Sequence, residues 1–280
     1  MGFLNKLFGS KPSTPEEEAK RNFNTLRDDG LRAKNIREFA YAEQCFRKAL
    51  EWQDDLAVKG FLAEVLYAQM KYADAIAPLE TLAKAQPDNL NLLLLLADCQ
   101  GKTAQYDAQA TTAKALLAQF PEEPRAFYFE APAAKGRGDV FTAIASLTKA
   151  LEMENQFQAA RLLRAQILSE MGQAKEVLED AETLVGLDSE NEEFLLLRAD
   201  ALAALGETEK AEADYQQLRL LNPFNQSAVL HLGKLYEGQN KLEAALHLYN
   251  DALDLRPDLH EVLAQRGALK LRLNDKAGAE

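Results

Sequence analysis

From Gln226 to Leu259 the apolar side chains form two stripes separated by a polar break. Val229, Leu232, Gly233 and Tyr236 stand at i, i+3, i+4 and i+7, the face of an amphipathic helix. Gly238 and Asn240 interrupt that pattern with turn chemistry, and a second stripe follows at Leu242, Ala245, Leu246, Tyr249 and Ala252. Pro257 closes the unit, because proline suits the connection after a helix and not its interior. The pattern predicts a helix, a tight turn, a second helix and a short connection.

The same unit recurs along the chain. Small residues return at Gly30, Ala63, Ala97, Ala131, Ala165, Ala199, Gly233 and Gly267, each step being 34 residues except the first, which is 33. A second series runs twelve residues behind, at Ala42, Ala75, Ala143, Ala211, Ala245 and Ala279, with Gln109 and Val177 on the missing beats. Small residues at a fixed period mark close helix contacts in stacked copies of one supersecondary unit. Earlier units begin near Phe23, Leu56, Leu90, Pro124, Gln158 and Glu192 and close at Asp54, Pro87, Pro121, Asn155, Ser189 and Pro223. Gly138, Gly172, Gly206, Asn240 and Asn274 keep step as turn residues.

The unit resembles the tetratricopeptide repeat, whose pattern of a bulky residue, Leu-Gly, Tyr, Ala, an aromatic, Ala and Pro is met here by Val229, Leu232-Gly233, Tyr236, Ala245, Tyr249, Ala252 and Pro257. The resemblance covers roughly residues 23 to 280, with Leu82, Leu116, Leu184 and Leu218 departing from the later alanine. It implies an all-α, right-handed solenoid of stacked antiparallel helix pairs. The expected organisation is an amphipathic segment and hinge over residues 1–18, then residues 19–280 as seven helix pairs and the start of an eighth. The chain stops at LRLNDKAGAE without a polar capping helix; either the array continues past Glu280 or the first helix of the eighth unit is an imperfect cap.

In the resembling family the first helix of each pair lines a concave groove that holds a peptide or a partner helix. Carried over by position, this implies one row through Leu94, Tyr128, Leu162, Leu196 and Leu230, and another through Glu64, Asp98, Pro132, Gln166, Asp200 and Lys234. The runs NLLLLLADC and EFLLLRADA hold more leucine than one packing stripe uses, so the first row is expected to be an exposed apolar surface, unless superhelical curvature buries it. The Lys and Asn pattern by which some members bind a C-terminal carboxylate is absent, since Leu94, Leu162 and Leu196 stand in its place. An apolar or amphipathic ligand with some basic character to meet Glu64, Asp98 and Asp200 fits better. Pro132 falls inside a first helix, where proline costs ~3 kcal/mol and leaves the Tyr128 carbonyl without its amide. A kink or an unwound turn is expected there, either exposing Tyr128 and Phe129 or only adjusting curvature.

Composition narrows the function. A net charge of −12 argues against a phosphate-binding surface, so no nucleic-acid partner is expected. Cys45 and Cys99 fall within helical patterns and read as buried thiols, which suits a reducing, cytoplasmic setting. No glycine-rich phosphate loop, nucleophile elbow or HExxH motif is present. His231, His247 and His260 lie on separate helices or at a helix start, with only His231 near the groove, so no metal and no cofactor are expected. Glu207, Glu209 and Glu212 read as a solvated face.

The first residues differ in character. Phe3, Leu4, Leu7 and Phe8 share one helical face with Asn5 and Lys6 opposite, and Ser13 or Thr14 is placed to cap a helix starting at Pro15. This segment is either a foot for membrane or a partner groove, or a frayed terminus or staple over the first repeat. The function expected is therefore a non-enzymatic scaffold that binds a protein or peptide. The alternative is a structural adaptor that self-assembles, or that touches membrane, through residues 1–9.

Overall fold

The computed structural model describes residues 14–273. The amphipathic face of Phe3 to Phe8, Ser13, Asn274 and Ala279 lie outside the described residues. Within the range Met1–Met153, one compact unit holds α1 (Pro15–Asn35), α2 (Phe39–Trp52), α3 (Leu56–Ala68), α4 (Tyr72–Ala85), α5 (Leu90–Lys102), α6 (Tyr106–Gln119), α7 (Pro124–Gly136) and α8 (Val140–Met153). A second unit, Glu154–Glu280, holds α9 (Gln158–Glu170), α10 (Ala174–Leu187), α11 (Glu192–Ala204), α12 (Thr208–Leu221), α13 (Gln226–Gly238), α14 (Leu242–Leu255) and α15 (His260–Arg272). No strand occurs among the described residues. The architecture is an all-α solenoid of antiparallel helix pairs.

Capping chemistry sets where the first helices begin. Thr14 opens α1 with a capping box: its Oγ1 accepts from the Glu17 amide at 3.2 Å, and the Glu17 carboxylate accepts from the Thr14 amide at 2.9 Å. Asp55, Asn89, Asn191 and Asn225 each turn a side-chain oxygen onto a first-turn amide of the helix that follows. Between the two helices of each pair, one residue takes a left-handed conformation. Gly138, Gly172, Gly206 and Asn240 hold it as their side chains allow, but Arg37, Met70 and Ala104 hold it as well, at φ 62, 59 and 56. The reason is a shared hydrogen-bond closure, such as Lys71 N–H to Leu66 O at 2.9 Å and Gln105 N–H to Gln100 O at 2.8 Å.

The small-residue series is the packing seam. Ala63, Ala97, Ala131, Ala165 and Ala199 are buried, as are Ala42, Ala75, Ala143, Ala211 and Ala245. Sixteen positions after the first-series residue stands its partner on the second helix: Phe46 against Gly30, Leu79 for Ala63, Leu147 for Ala131, Tyr215 for Ala199 and Tyr249 against Gly233. Gln109, in a seat held by alanine in most repeats, points its amide inward and donates to the Ala97 carbonyl at 3.1 Å. Val177 is simply buried.

A second helix-to-helix ladder is polar. Ser146 donates to Glu130 at 2.6 Å, Arg164 grips Asp180 through Nε and Nη2 at 2.8 and 2.6 Å, and Arg198 grips Asp214 at 2.8 and 2.7 Å. These pairs occupy equivalent positions in successive repeats, and the next repeat fills the same places with Leu232 and Leu248. Asp180, 1% exposed, also receives Arg161, whose other nitrogen donates to the Asn155 carbonyl at 2.7 Å.

At Pro132 helix α7 runs unbroken to Gly136, so the unwound turn expected there does not form. Ala131, Ala133 and Ala134 around it are fully buried, and their close packing keeps the turn helical. A second interior proline, Pro78, sits in α4.

Candidate functional site

The first helices carry the implied rows, and the structure divides their members. On α3, Leu56, Gly60 and Glu64 follow one another a turn apart and face Asn91, Leu92 and Leu95 of α5. Leu79 and Leu82 of α4 form the floor, and the cleft so made has a volume of about 510 Å³. Gly60 widens it: a Cβ at that position would have only Leu82 near it, at 3.9 Å. The cleft is thus apolar below and carries side-chain amides above, from Gln86, Asn89 and Asn91.

The leucine row is not an exposed strip. Leu94 is 6% and Leu230 9% exposed, and each belongs to a hydrophobic core. Leu162 and Leu196 are half-buried against the core of the second unit. Phe129 is buried, and half-buried Tyr128 meets its ring edge-on at 5.3 Å between centroids. Neighbouring repeats pack closely enough to use these side chains, so the surplus leucine of α5 is spent differently: Leu94 goes inward, while Leu92 and Leu95 face the cleft. Leu92, Leu95 and Asn91 belong to neither of the implied rows; Gly60, which stands one repeat before Leu94, was the available signal.

The acidic row is paired within the chain. Glu64 forms an ion pair with Lys34, whose ammonium also sits 5.2 Å above the Phe61 ring centre. Asp98 accepts from the Tyr67 hydroxyl at 2.6 Å and lies 3.7 Å from Lys102. That hydrogen bond, with burial, raises the Tyr67 phenol above its ordinary pKa. Asp200 accepts from the Tyr215 hydroxyl at 2.6 Å and meets His231 Nδ1 at 2.6 Å. Burial first, then Asp200, raises the Tyr215 phenol. Gln166 donates to Glu193 at 2.8 Å, while Lys234 is exposed and Pro132 half-buried. Basic ligand groups would therefore compete with partners already present.

Cys45 and Cys99 are free and buried, and burial, then the charge of Asp98, pushes the Cys99 thiol up to about 12. No group of three or more His, Cys, Asp or Glu among the described residues is placed to hold a metal. No helix among the described residues is long and apolar enough to cross a membrane.

Comparison with known proteins gives the same architecture. Residues 62–124 and 196–260 match the family model described as tetratricopeptide repeat, and residues 103–222 match that of the bacterial transcriptional activator domain. A tetratricopeptide repeat protein of Parabacteroides merdae superposes with a TM-score of 0.63 at 17% identity, covering 86% of this chain and 97% of that one. The C-terminal part of a TPR repeat-containing protein of Cytophaga hutchinsonii gives 0.65 at 14%, covering 78% and 90%. YrrB, described as a TPR protein with an unusual peptide-binding site, gives 0.59 at 17%, covering 66% and 95%. No curated protein matches by sequence.

Proposed function

We propose, since this chain is a tetratricopeptide repeat protein, that it is a non-enzymatic scaffold holding an extended peptide of a protein partner in the cleft between α3 and α5. The observation that carries this is the cleft itself, about 510 Å³ of space with a leucine floor and an amide rim. Apolar side chains of the peptide fill the floor, and its backbone groups bond to Asn91 and Gln86, which each donate and accept. The tetratricopeptide fold suggests protein partners in general, and the description of YrrB supports a peptide as the form. Two free, buried cysteines suit a cytoplasmic setting.

Selection of a displayed peptide library against the full chain tests it. Apolar peptides are expected to enrich, and Gly60→Phe, which fills the cleft without entering the core, to weaken them about tenfold or more with circular dichroism unchanged. Peptides that bind Gly60→Phe equally well, but are lost with Leu162→Glu and Leu196→Glu, would move the site to the second unit.

A further inference from the structure

One edge of the second unit carries large apolar side chains that its own core does not use. Leu187, Leu221 and Leu255 are the last residues of α10, α12 and α14, equivalent in three successive repeats, and all are exposed. Leu220, 84% exposed, and Phe224 extend the row at the middle repeat. The connections after α10 and α14 are acidic: Asp188 and Glu190 follow α10, and Asp254 and Asp258 flank the end of α14, where Arg256 is bonded to Asp258 at 3.1 Å; the connection after α12 carries no charge, and Arg219 stands beside Leu220. Exposed apolar side chains with an excess of one charge around them mark a docking surface for a segment of opposite sign.

The chain itself contains such a segment. Residues 1–13 hold Phe3, Leu4, Leu7 and Phe8 at helical spacing, carry Lys6 and Lys11, and have no acid, in a protein whose net charge is −12. We infer that residues 1–11 of a second copy dock on this edge, joining copies head to tail. A second copy is the donor to which the inference commits: docking between copies makes assembly rise with concentration, whereas a segment seated on its own chain leaves that chain a monomer. Contact between unlike surfaces propagates as an open assembly. The inference is independent of the peptide cleft, which lies in the other unit.

The test uses the full chain with Phe3→Glu and Phe8→Glu as receptor, so that its own segment does not compete, and a fluorescent peptide of residues 1–14 as probe. Saturable binding is expected, weakened by raised salt and about tenfold or more by Leu220→Glu with Phe224→Glu, while helical circular dichroism is retained. The unaltered chain should sediment as a concentration-dependent assembly, and both altered chains as monomers. Equal binding to the edge variant, loss of binding in Gly60→Phe instead, a monomeric unaltered chain, or a peptide that binds only anionic vesicles would each overturn the inference. Library peptides held by the cleft would be unaffected by the edge substitutions, so the two readings fail separately.

Discussion

Gly30 lies directly beneath the ring of Phe46: a Cβ at Gly30 would stand 2.5 Å from the Phe46 Cε1 atom. No real carbon tolerates that approach, so Gly30→Ala should destabilise the protein by about 1–3 kcal/mol, even though alanine favours a helix by ~1 kcal/mol. Equivalent positions in the next repeat hold Ala63 and Leu79. Gly30→Ala with Phe46→Leu is therefore expected to recover most of the loss. Urea unfolding of the two single variants and the double gives the coupling, and additive losses would contradict the contact.

Ala104 offers the opposite case. Its left-handed backbone, at φ 56, costs a residue with a side chain roughly 1–2 kcal/mol. Glycine relieves that strain but adds about 0.4–1 kcal/mol of unfolded-chain entropy. Ala104→Gly should stabilise by about 0.5–1 kcal/mol, read as a higher denaturation midpoint at unchanged slope. The same substitution at Ala97, inside α5, should destabilise.

The Arg198–Asp214 pair can be exchanged for the leucines that the following repeat uses. Removing one partner leaves the other charge in a packed seam. For Arg198→Leu or Asp214→Leu alone the expected loss is roughly 2–4 kcal/mol, below that of a fully buried pair because Arg198 keeps 26% of its side-chain surface exposed. The double variant is expected to lie within about 1 kcal/mol of the unaltered chain. Thermal melts of all four proteins decide it.

Glu43 makes stability depend on acid. Burial raises its pKa, but hydrogen bonds from Lys71 at 2.6 Å, Arg47 at 2.9 Å and Gln69 at 2.9 Å outweigh that and hold the carboxyl below its usual range. A carboxyl depressed on folding contributes stability that is fully present above its unfolded value and is lost as pH falls through the folded value. Chemical denaturation at successively lower pH, starting above the ordinary carboxylate range, should show stability falling more steeply in the unaltered chain than in Glu43→Gln. Parallel curves would remove Glu43 from the account.

The helix starts at Leu56, Leu90, Pro124, Gln158, Glu192 and Gln226 could be read from the period, because small seam residues and connector residues both keep step. The left-handed turns were legible at Gly138, Gly172, Gly206 and Asn240 but not at Arg37, Met70 and Ala104. There the conformation is imposed by backbone bonding between helices, and the side chain carries no trace of it. The groove was only partly legible. A period tells which residues are equivalent, and the four-residue step from Gly60 to Glu64 puts the two on one face of α3, where both line the cleft. It does not tell how far apart neighbouring first helices stand, and that distance decides that Leu94 is core while Leu95 borders open space. The ladder from Glu130 to Asp214 escaped notice because charged residues sixteen apart look like ordinary solvated positions until the second helix folds back.

That ladder has a consequence for assembly. Repeats so alike in length invite a helix to mate with the second helix of the wrong repeat during folding. Here the partners differ from one repeat to the next: Glu130 with Ser146, Arg164 with Asp180, Leu232 with Leu248. Set Glu130 against Asp180 and two acids meet in a largely buried seam; set Leu232 against Asp214 and a carboxylate is left there alone, at a cost of about 2–4 kcal/mol. Each such pair works as an address, by which a repeat recognises its own second half among near copies.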